Sequence, residues 1–348
     1  MRYVVSASQR IKTYRILFYF DDMKMTLLYI ALTAIMMTAC GSTGTTTTSE
    51  TSGNDTTTAT ATASRKPFDG NGAMEFTRQQ CEFGPRVPGT PAHAKCAEWL
   101  MTTLQASCDS VILQTGTVQT ATEGKMGIKN VIGIINPKAE QRLLLLAHWD
   151  TRPWADNDPD PANHRKPVMG ANDGASGVGV LLQLARQLKA EGTTLGVDIV
   201  LVDVEDMGVE DNEESWGLGT QYWAQHPHVG GYKPLFGILL DMVGASDASF
   251  SREYYSSYYA GGFVDAVWRC AAGSHFVDSQ GGAVTDDHIF VNRAGIPCID
   301  IIDMRTNSET GFNSVWHTVN DTMDGISAST LAEVGQTLLN VIADIEQQ

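Results

Sequence analysis

Basic side chains are scarce in this sequence. Its 348 residues carry 24 Lys and Arg against 40 Asp and Glu, a formal charge of −16 at pH 7. With a pI of about 4.8, no broad basic face is available to meet a phosphate backbone, which excludes bulk nucleic-acid binding. Long apolar runs are also few. One lies near the N-terminus and no second follows, which excludes a polytopic membrane protein. Cysteine is sparse at six residues, with neither zinc-knuckle spacing nor a nucleophile motif around any of them. No internal repeat and no compositional break to a second domain is present. Against these absences stand 43% hydrophobic residues and 18% charged ones. That is enough apolar material for a large core, and it excludes a wholly disordered chain.

The N-terminal apolar run, residues 26–39 (TLLYIALTAIMMTA), follows Lys24. It is too short for a spanning helix of about 20 residues and suits a signal-peptide core. Cys40 comes directly after Met37-Thr38-Ala39. Small residues before a Cys resemble a bacterial lipoprotein signal, in which the Cys is lipidated and becomes the first mature residue. The alternative is an ordinary secretory signal with a chance Cys. Met23 and Met25 are more natural starts than Met1, so residues 1–22 read as a gene-model extension. Between Gly41 and Ser64 nearly every residue is Ser, Thr, Gly, Ala or Asn. Such a run buries too little apolar surface to offset its ordering entropy. The expected organisation is a signal peptide over 1–39, a lipidated Cys with its tether over 40–65, and one folded domain over 66–348. The expected location is the bacterial cell envelope, facing the periplasm, with membrane contact through the anchor alone and the chain a monomer. Removing residues 1–39 removes five basic and two acidic side chains, so −16 becomes −19. Five cysteines remain: Cys81, Cys96, Cys108, Cys270 and Cys298. An odd number cannot all pair within the chain, and although export permits disulfides, the sequence assigns none. Cys298 stands in an apolar run and is expected to be buried.

Strands and helices alternate through the remainder. Residues 92–107 have helical periodicity, and Val111–Gln119 and Gly127–Ile135 read as a strand pair. Arg142–Ala147 (RLLLLA) is short and fully apolar, the pattern of a central strand buried on both faces. A polar loop follows from Trp149 to Ala171. Gly174–Ala190 reads as a helix, and Val197–Val204, Leu235–Met242 and Pro297–Ile302 as further buried strands. Ala328–Ile345 reads as a C-terminal amphipathic helix. The order implies an α/β fold, a three-layer α/β/α sandwich around a mixed, mainly parallel sheet.

Acids and histidines collect where these strands end, the place where open α/β sheets bind ligands. They are His148 and Asp150, then Asp173 before a helix, Glu205 and Asp206, Asp241, the run Asp286-Asp287-His288, and Trp316 with His317. A lone Asp after a strand is usually a helix cap, and a lone His is usually structural. Several acids and two histidines converging on one pocket would repel one another without a cation, and carboxylate with imidazole suits zinc.

These blocks, in order, resemble the zinc-dependent aminopeptidase superfamily and, within it, the glutaminyl cyclases (glutaminyl-peptide cyclotransferases). The resemblance runs through FGPRVPGTPAH from Phe83, AHWDTRP, GANDGASGVGVLLQLAR, VDVED, SWGLGTQYWA, LLDMVGA, TDDHIFVNRAGIP and VWHTVNDT. It implies an α/β/α sandwich and one of two site chemistries. The di-metal aminopeptidase pattern would use His148, Asp173, Asp206, Asp241 and His317 as ligands, with Glu205 as general base. The cyclase pattern would bind one zinc through Asp173, Asp206 and His317. It leaves Asp241 to catalysis, hydrogen-bonded to Asp286, and His148 as a hydrogen-bonded neighbour. Asp286, where peptidases have Ser, and Trp316, where they often have Tyr, favour the cyclase. Asp206 departs from the Glu of animal cyclases but keeps the carboxylate. The implied substrate is a peptide or protein with N-terminal glutamine, closed to pyroglutamate with loss of ammonia. Glu205 would shuttle the proton, Asp241 and Asp286 would hold the amide nitrogen, and Trp316 would pack on the glutamine side chain. The alternative is a di-zinc exo-aminopeptidase of the same fold. Trp149, Trp154 and Trp216 are placed at the pocket mouth, or else in packing. Tyr254–Tyr259 reads as an exposed recognition loop, or as packing under one. The loop from Asp150 to Gly170 either gates the pocket or binds calcium through its acids.

Overall fold

The computed structural model describes residues 65–348. The signal peptide, Cys40 and the Ser/Thr-rich tether expected from the sequence lie outside the described residues, apart from Arg65. Two helices come first. Asp69 caps α1 (Gly70–Glu82) by accepting the Gly72 N–H. Thr90 caps α2 (Pro91–Ser107), whose proline sits in the first turn where no N–H is needed. The sequence pattern did not reveal α1, whose mean character is polar. Next come β1 (Ser110–Gln119) and β2 (Lys125–Ile135), an antiparallel pair in register from Ser110 opposite Ile134 to Gln119 opposite Lys125. The remaining elements are β3 (Arg142–His148), α3 (Ala175–Glu191), β4 (Gly196–Val202), α4 (Leu218–Gln225), β5 (Gly237–Asp241), β6 (Phe250–Arg252), α5 (Tyr254–Cys270), β7 (Phe276–Gln280), α6 (Asp287–Arg293), β8 (Cys298–Ile302) and α7 (Ala328–Glu346). β6 and β7 form a small separate sheet that the sequence reading did not anticipate.

The main sheet has strand order β1-β2-β4-β3-β5-β8. β2 pairs antiparallel with β4, and the β4-β3, β3-β5 and β5-β8 pairings are parallel. This is the expected mixed, mainly parallel sheet. Its strands alternate between two cores. Leu143, Leu145, Ala147, Ile199, Leu201, Ile238 and Leu240 face one, where α1, α2, α3, α5 and α7 pack. Leu144, Leu146, Val200, Val202 and Leu239 face the other, covered by α4 and α6. Both faces are buried, so the strands read as continuous apolar runs. Gly177 lets α3 lie close on the sheet, because a Cβ there would strike the Leu240 carbonyl.

After β3 the chain crosses through α3 to β4 on one side, and afterwards to β5 on the other. The strand order therefore reverses at β3. The crevice between the carboxyl ends of β3 and β5 is the topological switch point, where such sheets take ligands.

Candidate active site

His148 ends β3 and Asp241 ends β5, one on each side of that crevice. Buried Asp150 accepts the backbone N–H groups of Glu205 at 3.0 Å and Asp206 at 3.2 Å. It ties the loop after β4 to the loop after β3. Asp321 does the same for Asn172 and Asp173, at 2.8 and 3.1 Å. Val204, Met242 and His317 hold positive φ values of 56°, 49° and 54°. Non-glycine residues adopt this left-handed region at a cost, most of all a β-branched one, and such strain gathers at functional sites. At Val204 the turn ends β4 two residues before its apolar run does, and it sends Glu205 and Asp206 across the strand ends.

The structure brings the expected ligands together. Donor atoms of Asp173, Asp206 and His317 lie within 4.8 Å of one another, all buried. His317 Nε2 is 3.2 Å from Asp206 Oδ1 and 3.5 Å from Asp173 Oδ2. His148, Asp173 and Asp241 form a second such triad sharing Asp173. Here His148 Nε2 is 3.0 Å from Asp173 Oδ1 and 3.2 Å from Asp241 Oδ1. Two buried carboxylates and an imidazole converging without a lysine make a donor set that fits a divalent cation. Arg152 reaches Asp206 Oδ1 at 3.3 Å and Asp156 at 2.6 Å, with the Trp154 and Trp216 rings 5.2 and 5.1 Å from its guanidinium carbon. It offsets charge behind the site, a role the sequence reading did not assign.

Burial sets the electrostatics. It holds Glu205 well above the ordinary carboxyl value, with Asp286, Asp206 and Asp287 adding and His148 opposing. It pushes Asp241 up to about 7, with the His148 hydrogen bond opposing and the Asp286 charge adding. Asp286 is raised chiefly by burial. Burial would lower His148, but hydrogen bonds with Asp150, Asp173 and Asp241 raise it well above the usual imidazole value. Asp173 stays below its usual value despite burial, through its hydrogen bond with His148 and the nearby charges of His148 and His317.

A cavity of about 600 Å³ opens above these groups, and Asp173, Glu205, Asp241, Asp286, Trp216, Trp316 and His317 line it. Asp206 and His148 stand behind the lining. Met242, Ile302 and Met304, with Val284, Phe312 and Trp316, form an apolar cluster on one side. The Trp316 ring lies 3.7 Å from the His317 ring. The expected hydrogen bond between Asp241 and Asp286 is not formed. Asp241 bonds His148 instead, and Asp286 acts on it through its charge.

For Trp149 and Trp154 the structure takes the packing reading. Trp149 is fully buried and stacks on His93 at 4.3 Å, away from the cavity. Trp154 packs on Arg152. Tyr254–Tyr259 is the first part of helix α5, not a loop, because Glu253 caps it through the Tyr255 and Ser256 N–H groups. In the 150–170 loop, Asp158 accepts from Asp160 N, Asn163 Nδ2 and Val319 N. That acid is taken up by turn formation. Cys81, Cys96, Cys108, Cys270 and Cys298 are free thiols, and Cys298 is buried as expected.

Comparison with known proteins agrees with this geometry. The pattern of peptidase family M28 matches residues 130–342. The chain belongs to that family. This M28 chain is 45% identical to Bacteroides thetaiotaomicron glutaminyl cyclase, solved bound to N-acetylhistamine. The TM-score is 0.78, over 80% of this chain and 98% of that one. A Zn-dependent exopeptidase from Parabacteroides distasonis is 42% identical, also with a TM-score of 0.78, over 80% of this chain and 98% of that one. Bovine glutaminyl-peptide cyclotransferase is 23% identical over 289 residues, 73% of this chain and 76% of the bovine protein.

Arg152, Asp321 and the cavity wall of Met304 and Phe312 were missed from sequence. Asp321 stands inside VWHTVNDT, four residues after the expected ligand His317, and an acid so close to a ligand-bearing turn was the available clue. Arg152 stands inside AHWDTRP, where a cation beside so many acids was the available clue.

Proposed function

We propose that this chain is a glutaminyl-peptide cyclotransferase, which closes the N-terminal glutamine of peptides or proteins to pyroglutamate and releases ammonia. The observation that carries this reading is that Asp286, Asp241 and Glu205 line one cavity together with Trp316. A water-activating di-metal peptidase would use Asp241 as a ligand and has no task for Asp286, whereas two acids facing the cavity suit an amide nitrogen. The glutaminyl cyclases at 45% identity support the same choice.

Asp173, Asp206 and His317 would hold one zinc ion per chain. The chemistry a bound zinc ion supplies at this position is polarisation of the γ-carboxamide carbonyl. The chain's own residues do the rest. Glu205, raised by burial, accepts a proton from the attacking α-amine and donates one to the leaving nitrogen. Asp241 and Asp286 hold that nitrogen as it becomes ammonia. Like-charged and buried, they cannot both ionise cheaply, so the pair keeps a proton available. Trp316, backed by Phe312 with ring centroids 4.6 Å apart, packs on the glutamine methylenes. The apolar cluster beside it keeps water from competing with the amine.

The His148–Asp173–Asp241 triad favours a second reading, a di-zinc exo-aminopeptidase. A paired assay separates the two: ammonia release from a Gln-initiated peptide against amine release from a Leu-initiated chromogenic amide. Turnover of the Leu substrate alone would overturn the cyclase.

The N-terminal pattern supports a lipid-anchored, exported enzyme, with Cys40 as the anchor and residues 66–348 as the catalytic domain. Cys40→Ser should move the protein from the membrane fraction to the soluble fraction with kcat unchanged. Retention on membranes would reject that anchor.

A further inference from the structure

Asp300 is an acid in the middle of a buried strand, Cys298-Ile299-Asp300-Ile301-Ile302, and it is fully buried. Neither of its carboxylate oxygens has a hydrogen-bond partner, and Asp286 Oδ2 and His288 Nδ1 are likewise without one. These groups face one another. Donor atoms of Asp286, His288 and Asp300 lie within 4.8 Å of each other. His288 Nδ1 is 3.7 Å from Asp300 Oδ2, and His288 Nε2 is 3.1 Å from Glu253 Oε2. Glu253 already accepts the N–H groups of Tyr255, Ser256 and Val284. Asp286 Oδ1 accepts the Asp287 N–H at 2.5 Å.

Several carboxylates thus surround one imidazole with neither lysine nor arginine among them. Two adjacent ionised carboxylates with unpaired oxygens would be very costly away from water. One proton held between Asp300 and Asp286 removes a charge and supplies the donor that Asp286 Oδ2 lacks. Asp286 lines the substrate cavity and Asp300 does not, so Asp300 can act only through its neighbour.

We propose that Asp300 is a positioning residue: as a neutral acid it donates a hydrogen bond to Asp286 Oδ2 from behind the cavity wall, fixing the carboxylate that faces the substrate amide. His288 and Glu253 complete the line from the start of α5 to the cavity. Burial, with the charges of Asp286, Asp241 and Glu253, raises Asp300 well above the ordinary carboxyl value, in keeping with a neutral acid there. The proposal rests on the reading of Asp286 as a group that holds the leaving nitrogen.

The test compares Asp300→Leu, which has no donor, with Asp300→Asn, which keeps a neutral donor, in the zinc-loaded chain. Asp300→Leu should lower kcat about 30- to 100-fold with KM within about twofold and zinc content unchanged. Asp300→Asn should restore kcat to within about threefold of the parent. An Asp300→Leu variant with parental kcat overturns the assignment. So does an Asp300→Asn variant as impaired as Asp300→Leu. Infrared difference spectra of the parent against Asp300→Asn at neutral pH should show the band of a buried protonated carboxyl group in the parent. Its absence overturns the proposal even if Asp300→Leu fails to fold. Full activity of Asp286→Ala would sink the parent reading instead, and the infrared band, which needs no turnover, would still decide the state of Asp300.

Discussion

The imidazole of His148 and the carboxylate of Asp241 meet across the crevice between β3 and β5, Nε2 to Oδ1 at 3.2 Å. In a di-metal peptidase these two side chains would bind a second ion. In the one-zinc cyclase reading the two side chains bond each other instead. Metal analysis of the folded chain is therefore expected to give close to one zinc, and Asp241→Asn should leave that number unchanged. Two zinc per chain, falling to one in Asp241→Asn, would place the chain with the peptidases.

Glu205 lines the cavity while its neighbour Asp206 stands behind it against His317. The division predicts different outcomes for adjacent acids. Glu205→Gln should lower kcat by about 10²–10⁴-fold, the range for loss of a general acid–base group, with zinc retained. Asp206→Asn should lower zinc content itself. Both are read by pairing ammonia release with metal analysis, and normal turnover in Glu205→Gln would eliminate that residue as the base.

Trp316 lies between Phe312 and His317, at 4.6 and 3.7 Å between ring centroids. Its packing face is aromatic, and in the proposed function its partner is the short aliphatic chain of the substrate glutamine. Trp316→Ala should raise KM for Gln-initiated peptides about tenfold, the scale of one lost aromatic contact, and Trp316→Phe should recover most of it. A fall in kcat alone, with KM constant, would assign the ring to holding His317 rather than substrate.

Asp241 is raised to about 7, mainly by burial. The folded state therefore binds its proton more tightly than the unfolded chain does. Its contribution to stability is fully present below the ordinary value near 4 and is lost as pH rises through about 7. In chelated protein, the melting temperature of the parent minus that of Asp241→Asn should fall between about pH 4 and 7 and level off above. A difference that rises over the same window would contradict the burial argument.

Much of the architecture was legible in the chain itself. Runs such as Arg142–Ala147 announce strands buried on two faces, because apolar residues without alternation have no solvent face to present. The acids were legible as strand-end residues because each follows an apolar run that stops within about two residues of the strand's end. Helix α1 was not legible, since its sequence is polar on average and its burial comes from packing against α3 and α7. Asp300 was overlooked for a related reason. A single acid in an apolar run looks like an exception until the residues opposite it are known.

The sequence by itself therefore determined the α/β order, the set of acids and histidines, and their assignment to strand ends, all of which depend on local pattern. Only the tertiary structure decided which of them meet. It placed Glu205, Asp241 and Asp286 on one cavity, gave Asp241 to His148 rather than to Asp286, and set Asp300 behind Asp286. Those choices depend on the reversal of strand order at β3 and on left-handed turns at Val204, Met242 and His317. They bring together residues far apart in sequence, and burial then sets which carboxyl groups keep their protons.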